Sequence, residues 1–459
     1  MSRRRFALTL TLLLAIALPL LTATVANAQA RLASREAWTR RYFPSSEYAM
    51  FTSVVTGPGG VVYAMGFSFA GGGVPAVVLA KYDAAGHRRW LRTYDGVAHG
   101  GATFLGVGHL VAVDHAGNVV VACTAYLGGG TKNVVALKYT PGGKLMWVGR
   151  RHETGEPQDV SCLGLDAAGN VYVAGRTTRT STGDDYIEVK FAAASGRADW
   201  AYRYAGPGGA SHGVDLVQGI AVDHKGDSYM TGISDNGDGN SSIATVKLTP
   251  AGHKVWVRRL NRGVSSEGHD LALGKNGDLY LVGNTFSGGL SGTDTLLARY
   301  SPNGTLRWTR LLSIDQADDL QSMVIDNKGS VLALGVSSDG ASQELVYKWS
   351  AAGDLKWVKT LPAAVVDPVV VEKAIAVDSQ RTVYCGGYWV GGRRLTSAGF
   401  TVAAYSSTGH LKWSDTYAAA GDVTDYCLGL AANSDAVYGV GQANVGVNKY
   451  AGVLVKYHK

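Results

Sequence analysis

The chain is poor in long apolar runs and in clustered charge. After the amino-terminal segment, no stretch approaches the roughly 20 apolar residues that a membrane-spanning helix needs, so we predict no transmembrane segment in the mature chain. Charged residues make up 17% of the 459 residues, and no run of five or more like charges follows that segment. Without a basic patch or stripe, the protein is not expected to bind nucleic acid.

Residues 1–28 have the features of a signal peptide. Three arginines at 3–5 precede an apolar run at 6–21, and small residues at 26–28 form a site that a signal peptidase would accept. Cleavage is expected near Ala28 or Ala30, which predicts export to the periplasm, the cell surface or the medium. Residues 2–6 also resemble a twin-arginine signal, so the general secretory and twin-arginine routes both stay open.

Glycine and tryptophan recur in a fixed phrase, in which a Gly stands four residues before a Trp. The phrase occurs seven times, at intervals of about fifty residues, and Trp38 is an eighth Trp without its Gly. Such a period is typical of a repeat architecture. Eight Trp at one module position are expected to pack between modules rather than to bind a ligand; they are Trp38, Trp90, Trp147, Trp200, Trp256, Trp308, Trp357 and Trp413.

Each module contains four strand-like runs. In the third copy they are residues 162–166, 171–175, 186–191 and 200–204, where β-branched and aromatic residues alternate and Gly, Asp and Asn separate the runs. Four antiparallel strands per module make a propeller blade. We therefore predict an all-β fold, a single eight-bladed β-propeller over residues 31–459.

The eighth blade lacks a fourth strand at the carboxyl end of the chain. Residues 38–42 form a fourth strand with nothing before it, so we expect this strand to complete the last blade. Closure removes the unpaired edges through which strands associate with other chains. The protein is accordingly expected to be a monomer.

Two segments of the module resemble the bacterial SBBP β-propeller repeat. One is the phrase from Asp166 to Gly175, and the other is the Gly-to-Trp segment, as from Lys138 to Trp147 in another copy. That resemblance implies an exported or cell-surface protein and specifies no activity. The Gly-to-Trp spacing also resembles the tryptophan-docking phrase of the eight-bladed quinoprotein fold. Its catalytic branch implies an adjacent Cys pair, a quinone and calcium, but this chain has no two consecutive Cys. Its assembly-lipoprotein branch implies a Cys after the signal, and residues 26–34 contain none.

Function is expected where the copies differ, in the blade-to-blade loops. Their acidic and His residues would gather around one mouth of the central channel, where they could hold a cation or a basic ligand. The alternative is that these are ordinary solvated loops. The candidate ring is His152, Glu153, Asp159, His212, Asp215, Glu267, His269, Asp318, Asp319 and Asp425.

Two other motifs match known sites only by letters. Residues 209–213 fit G-x-S-x-G, but no helical pattern follows, as a nucleophile elbow requires. Residues 235–240 look like a calcium loop, but Lys247 stands where an EF-hand needs Glu, so a hairpin loop is expected. We therefore assign no catalytic residue and no metal site, and predict no cofactor, with calcium or a quinone as alternatives.

The four cysteines are an even number in a chain predicted to be exported, which is compatible with disulfides. The module map would pair Cys123 with Cys162 and Cys385 with Cys427, each across neighbouring blades. Since the two pairs do not occupy equivalent positions, four buried free thiols are an equal alternative.

These observations favour an exported, non-catalytic binding or scaffold protein whose variable loops contact a protein or an envelope glycan. One alternative is an enzyme or a cofactor or metal binder of the quinoprotein-like type that uses the channel mouth. The other is a purely structural component of the envelope.

Overall fold

Nearly every alternating run of β-branched and aromatic residues in the sequence forms a β-strand. The computed structural model describes residues 34–44, 48–70, 73–96, 100–103, 110–128, 131–152, 156, 158–208, 213–288, 292–315, 317–338, 342–362, 374–391, 397–417, 425–446 and 449–459. These residues contain 33 strands and one 3₁₀ turn, Pro58–Gly60.

The described strands form seven hydrogen-bonded sheets, and the eight-stranded one divides into two blades at the single parallel pair between Thr293 and Ala317, which gives eight blades. Blade 1 contains β2 (Ala49–Thr56), β3 (Val62–Ala70), β4 (Val74–Tyr82) and β5 (Arg88–Tyr94); blade 2 contains β6 (Ala102–Thr103), β7 (Val111–Val113), β8 (Val119–Gly128), β9 (Thr131–Tyr139) and β10 (Leu145–Arg151). Blade 3 contains β11 (Gln158–Leu165), β12 (Val171–Arg179), β13 (Gly183–Phe191) and β14 (Ala198–Tyr204); blade 4 contains β15 (Asp215–Val222), β16 (Ser228–Asp235), β17 (Ser241–Leu248) and β18 (Lys254–Leu260).

The remaining four blades follow the same plan. Blade 5 contains β19 (Ser265–Leu273), β20 (Leu279–Phe286), β21 (Thr293–Tyr300) and β22 (Leu306–Leu312); blade 6 contains β23 (Ala317–Ile325), β24 (Val331–Ser338), β25 (Ser342–Trp349) and β26 (Leu355–Thr360). Blade 7 contains β27 (Ile375–Val377), β28 (Val383–Gly391), β29 (Ser397–Tyr405) and β30 (Leu411–Tyr417); blade 8 contains β31 (Tyr426–Ala432), β32 (Ala436–Gly446), β33 (Lys449–His458) and β1 (Glu36–Tyr42).

Within a blade, sequential strands pair in antiparallel order, and the first strand of each blade contacts the next blade around a closed ring. The amino-terminal strand β1 pairs with β33 from Glu36 opposite Tyr457 to Tyr42 opposite Gly452. The expected closure of the last blade by the amino-terminal strand is therefore confirmed. Because the strands alternate in direction, blade-to-blade connections and second-to-third strand loops share one face, called here the loop face. The other two hairpin turns lie on the opposite face, the turn face.

Each docking Trp contacts the blade that follows its own. A Cβ built on Gly252 would lie 2.6 Å from Trp200, and one built on Gly304 would lie 2.9 Å from Trp256, although each glycine precedes a different Trp in sequence. The indole nitrogen of Trp200 also donates to the carbonyl of Pro250, at 3.0 Å. Each Gly-to-Trp phrase thus contributes to two interfaces. Its Gly contacts the Trp of the preceding blade, and its own Trp contacts the following blade.

A lysine on the strand next to the docking Trp adds a second bond between the same two blades. Lys190 donates to the Pro250 carbonyl at 2.9 Å and lies over the ring of Tyr172. Blade 7 has Ala404 at the equivalent position, opposite Tyr384. There the amine of Lys459 fills the role instead, 2.8 Å from Asp378 and over the ring of Tyr384. The last residue therefore links blade 8 to blade 7.

The first strand carries a β-bulge in six blades, and a glycine of the second strand stands opposite each of these bulges. The extra residues of the bulges are Thr52, Ser161, Gln218, His269, Gln321 and Leu428. A Cβ on Gly232 would lie 1.9 Å from the Leu216 carbonyl oxygen, so any side chain there is excluded. Blade 2 has Cys123 in place of this glycine. Seven residues lie between Thr103 and Val111 in its chain, whereas three lie between the equivalent residues of blade 3, Asp159 and Leu163.

All four cysteines are buried and form no disulfide in the structure, which is one of the two alternatives that the sequence left open. Cys123 packs in the cluster around blades 1 to 3, whereas Cys162 packs with Tyr186 and Val217 between blades 3 and 4. A Cβ on Gly386 would lie 2.5 Å from the sulfur of Cys427. Successive strand residues point to opposite faces, so the side chain of Cys385 lies on the far side of the same sheet.

A charged cluster at the loop face of blade 3

Most of the predicted ring residues lie in strands rather than in the loops to which the sequence assigned them. Asp159, Asp215, Glu267, His269, Asp318 and Asp319 all fall within the first strands of their blades, because these strands begin several residues earlier than the sequence pattern indicated. Asp425 immediately precedes β31, and His152 is exposed just after β10. Glu153 and His212 lie outside the described residues.

Three of the aspartates hold backbone rather than face the channel. Asp215 accepts a hydrogen bond from the Gly206 amide at 2.6 Å, and Asp318 accepts from the amides of Ile314 and Asp315. Asp425 accepts from the amide of Asn444 at 3.1 Å. All three are buried. Asp215 and Asp318 therefore fasten the connection that enters their blade, a structural task that leaves little freedom to bind a ligand.

Blades 5 and 6 bring three of the predicted residues together. The Nε2 atom of His269, the extra residue of its bulge, lies 3.4 Å from Asp319 and 4.0 Å from Glu267. Asn284 donates to the same Asp319 oxygen at 3.1 Å. Glu267 is 39% exposed and Asp319 28%. This cluster can accept a cationic or hydroxylated group from solvent.

Blade 3 carries two neighbouring sets of ion pairs on the described part of the loop face. Asp159 forms ion pairs with Lys132 of blade 2 at 2.8 Å and with Arg176 at 3.2 Å, and Arg176 continues to Asp184 at 2.8 Å. Thr178 donates to Asp184 at 2.5 Å. The predicted Asp159 is therefore one member of a chain of alternating charges that joins blades 2 and 3.

A second set of ion pairs lies beside the first. Glu156, in the connection between blades 2 and 3, bonds Arg179 at 2.6 Å through one oxygen and Arg203 through the other. The candidate ring did not include Glu156 or the two arginines, and the arginines stand in strands β12 and β14 that look like ordinary module strands.

A row of buried polar side chains lies behind these arginines. Gln158, Thr177 and Asp185 stand opposite one another on β11, β12 and β13 and are fully buried. Thr182 donates to one oxygen of Asp185 at 2.7 Å. Burial raises the pKa of Asp185, while the Thr182 hydrogen bond and the two arginines oppose that shift. No sequence signal distinguished Gln158 or Thr177, since both fit the alternating strand pattern.

The clefts found on the turn face belong to the turns themselves. One of about 310 Å³ is lined by Asp114, Asp166 and Asp223 with the neighbouring His115 and His224. The three aspartates are occupied by turn hydrogen bonds, such as that from the Asn118 amide to Asp114 at 2.8 Å. Among the described residues, no three His, Cys, Asp or Glu side chains are arranged to hold a metal ion.

Comparison with known proteins identifies the fold alone. The chain is a β-propeller. It is similar to the quinohemoprotein alcohol dehydrogenase from Comamonas testosteroni, with a TM-score of 0.53 and 11% identity over 92% of this chain and 76% of that chain. It is also similar to Sqt1 from Chaetomium thermophilum, with a TM-score of 0.55 and 9% identity over 93% and 99% of the two chains. At such low identity these likenesses show the propeller fold and no activity.

No family model and no curated protein matches the chain, so the resemblance to the SBBP repeat rests on the motif alone. In the described part of the propeller, no helix is long and apolar enough to cross a membrane.

Proposed function

We propose that this protein is an exported, non-catalytic binding protein whose loop face contacts an envelope glycan or a protein at blades 2 and 3. The observation that carries the proposal is the contrast between the two faces. The turn face repeats the same Gly, Trp and Asp contacts from blade to blade, as structural positions do, whereas the described part of blade 3 has two adjacent ion-pair networks on the loop face.

The chemistry of that surface suits a polar partner. Lys132, Arg176, Arg179 and Arg203 alternate with carboxylates, and all of them retain some exposure. Guanidinium groups bond carboxylates and phosphates in two-pronged geometry, and partly exposed charged pairs can exchange partners at small cost. Export follows from the signal-like residues 1–28, and sequencing the amino terminus of secreted protein tests it.

A second function is favoured by one feature only. His269 lies between Glu267 and Asp319, an arrangement that could move a proton. This is the channel-mouth alternative, an enzyme or a cofactor or metal binder. Absorbance scanning and metal analysis of natively purified protein, with melting curves with and without chelator, test it.

The binding proposal is tested with immobilised mature protein, probed separately with fractionated envelope polysaccharide and with solubilised envelope proteins. Arg176→Ala breaks the network on the loop face. Arg197→Ala is the matched control, because Arg197 is exposed on the turn face of the same blade and pairs only with Asp199 among the ion pairs described. We expect Arg176→Ala to reduce retention of one class at least fivefold while Arg197→Ala leaves it unchanged. Equal loss in both variants, or no retention by the wild type, would contradict the proposal.

A further inference from the structure

One position at the start of the first strand has the same task in several blades. In blade 4 it is Asp215, which accepts from the Gly206 amide, and in blade 6 it is Asp318, which accepts from Ile314 and Asp315. In blade 5 it is Ser266, whose hydroxyl accepts from the Arg262 amide at 3.1 Å. The side chain at this position fastens the incoming connection.

Blade 3 has Gln158 at this position, and its side chain forms no hydrogen bond to the described part of the incoming connection. Gln158 pairs with Thr177 as Asp215 pairs with Ser234, so the positions are equivalent. Both polar atoms of the Gln158 amide are buried and have no hydrogen-bond partner in the described protein. Three other copies use this residue to hold the incoming connection, and blades 1 and 2 have Ala49 and Ala102 there. Among the described copies, blade 3 is thus the one that buries an amide without a partner at this position.

Polar atoms around Gln158 are also buried without a hydrogen-bond partner. The Thr177 hydroxyl, the Oδ1 atom of Asp185 and the Nε atom of Arg203 are buried and form no hydrogen bond within the described part of the chain. A buried polar group without a partner costs about 1–3 kcal/mol, and native proteins keep few of them without a reason. Donors and acceptors are both present, so the complementary group is one that offers both, as a hydroxyl does.

Glu156 closes the solvent side of this row with a carboxylate. Its two oxygens bond Arg179 and Arg203, and the Glu156 side chain is only 15% exposed. Two arginines that share one carboxylate form a carboxylate-binding site. Glu156 lies in a blade-to-blade connection rather than in a strand, so its side chain can be exchanged for an external carboxylate without unpairing the sheet.

We propose that the loop face between blades 2 and 3 binds an acidic sugar residue, whose carboxylate replaces that of Glu156 on Arg179 and Arg203 while its ring hydroxyls bond Gln158, Thr177 and Asp185. This inference rests on the proposed function and names its ligand class, a uronic acid within a glycan.

The test uses the mature protein and oligogalacturonate as the probe, followed by calorimetric titration, with uncharged galacto-oligosaccharide as the comparison. The wild type should bind the acidic probe at least tenfold more tightly. Glu156→Gln, which weakens the internal competitor, should strengthen binding about threefold or more. Gln158→Leu and Thr177→Val should each weaken it about tenfold. Gln343→Leu is the matched control, an exposed Gln on the loop face of blade 6, and should change nothing.

The outcomes separate this inference from the broader proposal. If Gln158→Leu raises the melting temperature and leaves oligogalacturonate binding unchanged, the row holds only internal water and the inference fails. If the wild type retains envelope protein or a neutral glycan but not oligogalacturonate, the inference fails while the proposed function stands. Loss of oligogalacturonate binding in Gln158→Leu with an unchanged circular dichroism spectrum and melting curve supports the inference, because the fold is then intact.

Discussion

At the scale of single residues, the second-strand glycines are the most constrained positions. The first strand bulges toward them, and the carbonyl before the bulge occupies the space of a Cβ: the distance would be 1.9 Å at Gly175, Gly232 and Gly283. Carbonyl oxygens of a paired strand cannot retreat without breaking the ladder. These glycines are needed for close approach of the backbone, not for an unusual φ.

Gly232→Ala should therefore lower the free energy of unfolding by about 3 kcal/mol or more, as overpacking against backbone does. Gly142→Ala is the control, because its Cβ would meet only the Thr140 hydroxyl, at 3.8 Å. Urea denaturation of both variants measures the difference. Equal midpoints for the two variants would show that the bulge can shift.

A second residue-scale prediction concerns Glu188, a carboxyl buried between blades 3 and 4. Neither oxygen has a hydrogen-bond partner in the described chain, and burial raises the pKa to about 8, against a smaller effect of the Ser228 hydroxyl. A carboxyl with a raised folded pKa stabilises the fold fully below its unfolded pKa, near 4.5. That contribution is lost as pH rises to about 8.

Wild-type protein should thus lose stability between pH 5 and about pH 8, by an amount that Glu188→Gln removes. Melting temperatures measured across this range compare the two proteins. A Glu188→Gln variant whose profile matches the wild type would mean that the carboxyl reaches water.

At the scale of elements, the connections between blades depend on the first residues of the next strand. Asp318 accepts hydrogen bonds from the amides of Ile314 and Asp315. The Asp315 carboxylate in turn accepts one from the Ser337 hydroxyl at 2.6 Å. This small network orders the connection between blades 5 and 6. Polar side chains that appear to be loop ligands in the sequence are in this case what shapes the loop.

Asp318→Ala should speed amide hydrogen exchange at Ile314 and Asp315 at least tenfold while leaving β24 and β25 protected. The reason is that the loop loses its acceptors but the blade keeps its ladder. Exchange measured by NMR or mass spectrometry checks this, and Asp354→Ala, at an exposed turn-face aspartate, is the control. Unchanged exchange at Ile314 would show that the loop is held by other contacts.

The sequence predicted the strands and turns but not the contacts of the candidate site residues, for one physical reason. Alternation and turn chemistry act within a few residues, so the hairpins and the Trp positions were visible. The contacts of Asp159 or Arg203 depend on residues that neighbouring strands bring close, and local periodicity contains no information about them. Seven of the ten ring residues accordingly divide into backbone-fastening aspartates, a blade 5–6 cluster and a member of the blade 3 network, while His152 is exposed and Glu153 and His212 lie outside the described residues.

At the scale of the whole molecule, the junction between blades 7 and 8 differs from the others. Blade 8 has no hairpin turn between its last two strands, so Trp413 stacks on Tyr457 instead of on a turn glycine. Three long-range contacts compensate: Lys459 with Asp378, the Glu36 amide with Asp415, and Arg41 with the Tyr417 hydroxyl. Both chain ends hold this junction.

Removing residues 31–43 should lower the melting temperature by about 10 °C or more, far beyond the effect of an ordinary edge strand, because the ring opens. Lys459→Ala should lower it by only a few degrees, since one partly buried ion pair is lost. Calorimetry of both variants compares them, with Lys356→Ala as an exposed control. An unchanged melting temperature for the truncated protein would show that the ring does not depend on β1.

The sequence by itself determined the repeated four-strand module, the turn glycines, the docking tryptophans and the closing strand, because each follows from short-range φ preference and period-two burial. Only the tertiary structure decided that each turn glycine receives the Trp of the preceding blade, that the cysteines stay apart, and that Gln158, Thr177, Asp185, Arg179 and Arg203 meet behind Glu156. These depend on how sheets about fifty residues apart pack face to face, and such packing is set by the shapes of both surfaces together rather than by either segment alone.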